Sequence, residues 1–214
     1  MNFYFDYISP YAYIAWTQIH ALAEKYGRDV TPIPVLFGGL LSDSGRLGPA
    51  ETPLMRRWVG KNILRKCRDL NIPLAAPATH PFNPLLALRA TALDMSNEQR
   101  RRLIDLLFEA TWVTSQDVTD PAVVGALLAK VGLDPDSGLA QTQQPAIKER
   151  IKQNTAHAIE AGAFGVPTVV VDGELFWGHD DLHYLEKFLR GEEAVSQADL
   201  DAWEKVQPSI VRRR

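Results

Sequence analysis

Gly165-Val166-Pro167-Thr168, followed by Val169-Val170-Val171-Asp172-Gly173-Glu174-Leu175-Phe176-Trp177-Gly178, is the stretch on which the fold turns. A proline directly before an apolar strand supplies no ladder donor, so ordinary sheet building disfavours it. The pattern makes sense with Pro167 at the strand's leading edge, where a cis bond is one option, and with the Val166 backbone turned to a ligand instead of a neighbouring strand. Asp172-Gly173 then signals a tight hairpin between two strands. The natural partner of this unit stands at the other end of the chain, where a short strand runs into Ser9-Pro10 and a helix begins.

Working outward, Phe3, Phe5 and Tyr7 alternate with Asn2, Tyr4 and Asp6, which suits a short strand whose second face is also partly covered. Ser9 is placed to cap a helix that has Pro10 in its first turn. Tyr13, Trp16, Ile19, Leu22 and Ala23 recur at helical spacing, and Gly27 can end the run. Val30 to Phe37 reads as a parallel partner strand, with Pro32 and Pro34 demoting its start to an edge. Gly38-Gly39 and the stretch to Pro53 read as loop. Helical patterns follow over residues 54–70, 85–93, 98–113, 122–131 and 145–161. Leu182, Leu185, Phe188 and Leu189 mark a last main helix, capped by Asp180 or Asp181 and closed by Gly191. Neither strand pair is large enough to stand alone, so both must share one sheet. The sum is an α/β fold: a thioredoxin-like core from residues 1–38 and 162–192, an inserted all-helical domain with its loops over 39–161, and a peripheral extension over 193–214.

Hydrophobic content of 46% and charged content of 23% over 214 residues suit a soluble globular protein. One cysteine, Cys67, excludes an internal disulfide and a CxxC pair, and it falls in the helical part as a buried or semi-buried small side chain. No apolar run approaches the ~20 residues of a membrane span. Nothing at the N-terminus resembles a secretion signal, so a cytoplasmic location is expected. A formal charge of -3 argues against nucleic acid, and Arg212-Arg213-Arg214 reads as a solvated terminus. Arg57, Lys61, Arg65 and Arg68 form one side of a helix, either a solvated face or, with Lys61 favoured, an attraction for a ligand carboxylate. Five scattered histidines give no metal-ligand spacing.

Ser9 supports two readings. It can simply cap its own helix, or its hydroxyl can donate to an anionic sulfur held at the helix N-terminus, where the helix field also lowers a thiol pKa. No His/Asp partner marks it as a nucleophile. Asn83 can cap a helix or orient a substrate; Trp58 and Trp112 can fill gaps between helices or line an aromatic pocket. His80 reads as a surface or packing residue, and His20 as lying on the outer side of the first helix.

Three groups of segments, in this order, carry a family resemblance. They are Phe5-Asp6-Tyr7-Ile8-Ser9-Pro10-Tyr11-Ala12-Tyr13; then Val35-Leu36-Phe37-Gly38-Gly39-Leu40, His80-Pro81-Phe82-Asn83-Pro84-Leu85 and Glu109-Ala110-Thr111-Trp112; and finally Phe164-Gly165-Val166-Pro167-Thr168 with Phe176-Trp177-Gly178-His179-Asp180-Asp181-Leu182. Over about residues 2–190 the chain resembles the 2-hydroxychromene-2-carboxylate isomerases, which are similar to kappa-class glutathione transferases and DsbA-like proteins. The resemblance implies a DsbA/kappa-type core with glutathione as cofactor. Ser9 would hydrogen-bond the glutathione thiolate, and Val166 before a cis-Pro167 would pair with its cysteinyl part. His179 and Asp180 would hold the γ-glutamyl end. This chain has His179 where many relatives have Ser or Asn, and Leu182 directly after Asp181 where an arginine often intervenes. Lys61 is the candidate for the glycyl carboxylate, and Tyr11, Asn83 and Trp112 for the substrate pocket. The implied reaction, part of aromatic hydrocarbon catabolism, is isomerisation of 2-hydroxychromene-2-carboxylate to trans-o-hydroxybenzylidenepyruvate by reversible thiolate addition. A kappa-like transferase and a non-enzymatic thioredoxin-like binding module are the alternatives, and a homodimer is implied. DsbA-type redox chemistry is disfavoured, since no cysteine stands near Ser9.

Overall fold

The computed structural model describes residues 1–192 and 195–210, and the Arg212–Arg214 cluster lies outside them. Four strands form one sheet in the order β2-β1-β3-β4, with β1 Asn2–Phe5, β2 Thr31–Pro34, β3 Thr168–Val171 and β4 Glu174–Trp177. β1 pairs in parallel with β2 across α1 (Pro10–Lys25), and antiparallel with β3, with Tyr4 opposite Thr168. The two ends of the chain thus share one sheet, as the strand pattern requires. The β3–β4 hairpin turns at Asp172 and Gly173, both at positive φ, as a tight antiparallel turn needs.

Every side chain from Phe3 to Tyr7 is fully buried, so β1 is covered on both faces. Phe3, Phe5 and Tyr7 pack into the larger core, where Tyr7 lies 4.8 Å from Phe108 and Phe3 lies 5.6 Å from Trp16 by ring centroids. Tyr4 faces the other way, with Val35, Leu40, Ala158 and Val166. Each such buried aromatic contributes roughly 1.5–3 kcal/mol through apolar burial.

Between the two halves of the sheet run α2 (Phe37–Ser44), a 3₁₀ turn (Pro49–Glu51), α3 (Pro53–Asp69), α4 (Leu85–Thr91), α5 (Asn97–Trp112), α6 (Pro121–Lys130), α7 (Pro135–Thr142) and α8 (Pro145–Glu160). After the hairpin come α9 (Leu182–Leu189) and α10 (Gln197–Glu204), the latter with no buried residue.

Several expectations need correction. β2 ends at Pro34 instead of reaching Phe37, and Phe37 opens α2, which runs to Ser44 through the start of the stretch read as loop. The cause is tertiary: the buried Asp6 carboxylate accepts from Phe37 N at 2.9 Å, and Leu40 enters the core. Of the two glycines that argued against a helix, Gly39 is used for close packing, since a Cβ there would lie 2.9 Å from Thr155 of α8, whereas Gly38 faces open space. α7 escaped the periodicity because it is short and holds Gly138. Its start is fixed by Asp134, which accepts from Ser137 N at 2.8 Å. Trp58 fills no gap between helices; it is 60% exposed on α3. His20 is half-buried, edge-on to Trp16 at 4.3 Å, instead of lying on the outer side of α1.

Candidate active site

The site gathers around the N-terminus of α1. Ser9 has extended backbone angles and caps that helix, its Oγ accepting from Ala12 N at 3.2 Å. The same hydroxyl donates to the carbonyl of Val166 at 3.2 Å, so the two ends of the chain meet at this oxygen. Both Ser9 readings thus rest on one atom: it caps, and its proton points to the loop before β3. Pro10 has no N–H, and Tyr11 N has no hydrogen-bond partner among the described residues. No acidic side chain occupies the first turn of α1, whose N-terminus is the positive end of its dipole.

Facing it, the Val166–Pro167 bond is cis. Thr168 Oγ1 donates to Gly165 O at 2.8 Å and Gly178 N donates to Pro167 O at 2.8 Å, which clamps the turn from both sides. The Val166 N–H has no partner among the described residues.

A second helix end closes the site. Asp181 stands at the N-cap position of α9, but its carboxylate accepts from Trp177 N at 2.9 Å and does not cap the helix. The N–H groups of His183 and Tyr184 are unpaired among the described residues, a ready anion cradle. His179 accepts at Nε2 from the Gln18 amide at 3.1 Å, because the amide nitrogen can only donate. Its Nδ1 is buried without a hydrogen-bond partner, 3.8 Å from Asp180. Burial, and then the Lys66 charge, hold the His179 pKa below its ordinary value. Asp180 is 74% exposed and pairs with Lys66, whose side chain is 19% exposed.

Lys66 is the residue that sequence reasoning missed. The stripe Arg57, Lys61, Arg65 and Arg68 is exposed throughout, as a solvated face would be. Lys66 lies off that stripe and four residues beyond Asn62, so Asn62 and Lys66 share the inner side of α3. Asn62 accepts from the Tyr11 hydroxyl at 2.8 Å, and Lys66 reaches Asp180 just ahead of α9. Burial, and then the Asp180 charge, push the Tyr11 phenol up to about 12. The only legible sign was that spacing of four between two polar residues beside a stripe that drew attention away from it.

The remaining candidates spread out. Asn83 is exposed and its Oδ1 accepts from Leu85 N at 3.1 Å, a local turn at the start of α4. Trp112 is buried, and its indole donates to Tyr7 O at 2.9 Å. His80, read as a surface or packing residue, is half-buried and bonded through Nε2 to the carbonyl of Ile8 at 3.0 Å, next to Ser9. Among the described residues, no group of three or more His, Cys, Asp or Glu side chains is placed to hold a metal ion, and no helix is long and apolar enough to cross a membrane.

A family model described as a DSBA-like thioredoxin domain matches residues 1–190. The chain belongs to that family. Within it, the chain is 26% identical over 193 residues to the 2-hydroxychromene-2-carboxylate isomerase of Sphingobium xenophagum, covering 88% of this chain and 97% of the relative. It is 24% identical over 203 residues to glutathione S-transferase kappa 1 of Homo sapiens, covering 88% and 90%. A solved 2-hydroxychromene-2-carboxylate isomerase has the same fold, with a TM-score of 0.80 at 24% identity over 96% of this chain and 98% of the other. The DSBA-like core here carries serine at the head of α1, and its cysteine, Cys67, lies in α3.

Proposed function

We propose that this protein is a glutathione-dependent cis–trans isomerase converting 2-hydroxychromene-2-carboxylate to trans-o-hydroxybenzylidenepyruvate. The observation that carries this reading is the Ser9 hydroxyl, set at a helix N-terminus with no acid in its first turn and aimed at the Val166 backbone. A hydroxyl there cannot exchange disulfides, but it can hold an anion. The proton it gives to Val166 is available to a stronger, charged acceptor, for which a hydrogen bond is about twice as strong. Bound glutathione would supply a sulfur nucleophile that adds reversibly and so frees a double bond for rotation.

The residues fit that tripeptide. The unpaired N–H groups of Tyr11 and Val166 suit the thiolate and the cysteinyl carbonyl. Those of His183 and Tyr184 suit the γ-glutamyl carboxylate, and Asp180 suits its ammonium group. Lys61, exposed on α3, is the cation for a glycyl carboxylate, and Lys66, paired with Asp180, adds positive charge beside it. Tyr11 is the aromatic side chain for a flat substrate to rest on, while Trp112, buried, backs the site from within by packing on His80, and the exposed Asn83 keeps its amide N–H groups for a substrate. A homodimer and a cytoplasmic location belong to the same reading.

The similarity to glutathione S-transferase kappa 1 favours a second reading, conjugation of small electrophiles. Turnover with a trace of glutathione separates the two. The isomerase forms many equivalents of the trans product without consuming thiol. Thiol loss in step with substrate would establish the transferase instead, and no turnover together with no glutathione binding would leave a binding module.

A further inference from the structure

His80 has a fixed tautomer and an open nitrogen. A carbonyl only accepts, so the 3.0 Å contact from Nε2 to Ile8 O puts the ring proton on Nε2 and leaves a lone pair on Nδ1. Nδ1 has no hydrogen-bond partner among the described residues and is not one of the fully buried unpartnered atoms, so it is not sealed off inside the fold. The ring is held between Trp112 at 5.7 Å and Phe82 at 6.4 Å. Arg56 of α3, which donates to the His80 carbonyl at 3.0 Å, is the charged group bearing on the ring; Ile8, Phe82 and Trp112, which pack against it, carry none. Burial, and then Arg56, hold the imidazole below its ordinary pKa, so it is neutral near pH 7.

We infer that His80 is the proton-transfer residue of the Ser9 site, acting through Nδ1 on a cyclic hydroxy-carboxylate substrate. This rests on the isomerase reading. The hydroxyl proton on the ring carbon passes to Nδ1, the lone pair left on that oxygen forms the carbonyl, and the ring C–O bond breaks with its electrons on the phenolate oxygen. The imidazolium then returns the proton to that oxygen. Atoms and charge balance with no added reactant.

His80→Gln keeps an N–H donor for Ile8 and removes the titratable lone pair. With 2-hydroxychromene-2-carboxylate as probe, kcat/KM should fall by about 10²-fold or more, the usual size of general base catalysis, and the acid limb of its pH profile should vanish. The ring-opened cis isomer should be turned over at close to the original rate. Nitrogen NMR of the free protein should show the neutral Nε2–H form of His80, and glutathione should give the same thiolate absorbance in both proteins. Equal loss on cyclic and opened substrates, unchanged kcat/KM, or an Nδ1–H tautomer would each overturn the assignment while leaving the Ser9 site standing. Absence of a thiolate signal in the unaltered protein would remove the Ser9 reading and this assignment with it.

Discussion

At the residue scale, Ser9 does two jobs with one oxygen. As an acceptor it caps α1, and as a donor it reaches Val166. That double use is why the capping and functional readings could not be separated in the sequence: Ser-Pro specifies the cap, and the second contact joins residues 157 positions apart. Putting sulfur at this atom should change the chemistry. A Ser9→Cys thiol would sit at a helix N-terminus with no acid in its first turn, so its pKa should fall clearly below the ~8.5 of free cysteine. Reaction with an aromatic disulfide reagent across pH should show this, together with a stable mixed disulfide with glutathione and lost isomerisation. A thiol titrating at or above the free value would show that the helix field does not act there. Lys66 and His80 were illegible for a related reason. Their identities were plain, but their partners Asp180 and Ile8 become neighbours only once the sheet is closed.

At the scale of elements, Asp6 ties the end of β1 to the start of α2. It accepts from Ile8 N at 3.1 Å and Phe37 N at 2.9 Å while fully buried. Burial outweighs those hydrogen bonds and raises its carboxyl from 3.8 to about 7. The folded state therefore binds this proton more tightly than the unfolded chain. Its contribution to stability is fully present below about pH 4 and is lost as pH rises toward about 7. Urea unfolding across that window should show a decline that Asp6→Asn lacks; parallel pH dependences in the two proteins would contradict it. Most long helices and all four strands were legible, because caps, prolines and apolar spacing are local signals. α2 was not, since its first donor is satisfied by a side chain 31 residues away. The inward face of α3 was masked by the charge pattern on its outer side.

At the scale of the whole molecule, one apolar cluster runs from the sheet through α1 into α4, α5 and α6. Sheet and helical elements should accordingly unfold together, with fluorescence and far-UV circular dichroism transitions coincident. Trp112 is a direct tie between them through its bond to Tyr7 O. Trp112→Phe leaves that carbonyl without its partner and should cost about 1–3 kcal/mol in urea unfolding. A loss within experimental error would mean that the tie carries no weight, and two separated transitions would mean that the helical elements fold on their own. That strands from opposite ends must share a sheet was readable from their small size. How the helices close over that sheet was not, because it depends on packing between distant faces.

The most direct test is the pKa of bound glutathione, followed by thiolate absorbance, in the unaltered protein and in Ser9→Ala. A charge-assisted hydrogen bond of about 1.5–3 kcal/mol corresponds to about 1–2 pKa units. Glutathione should therefore ionise well below its solution value in the first protein and about 1–2 units higher in the second. Equal values in the two, or a thiol that stays protonated in both, would contradict the account.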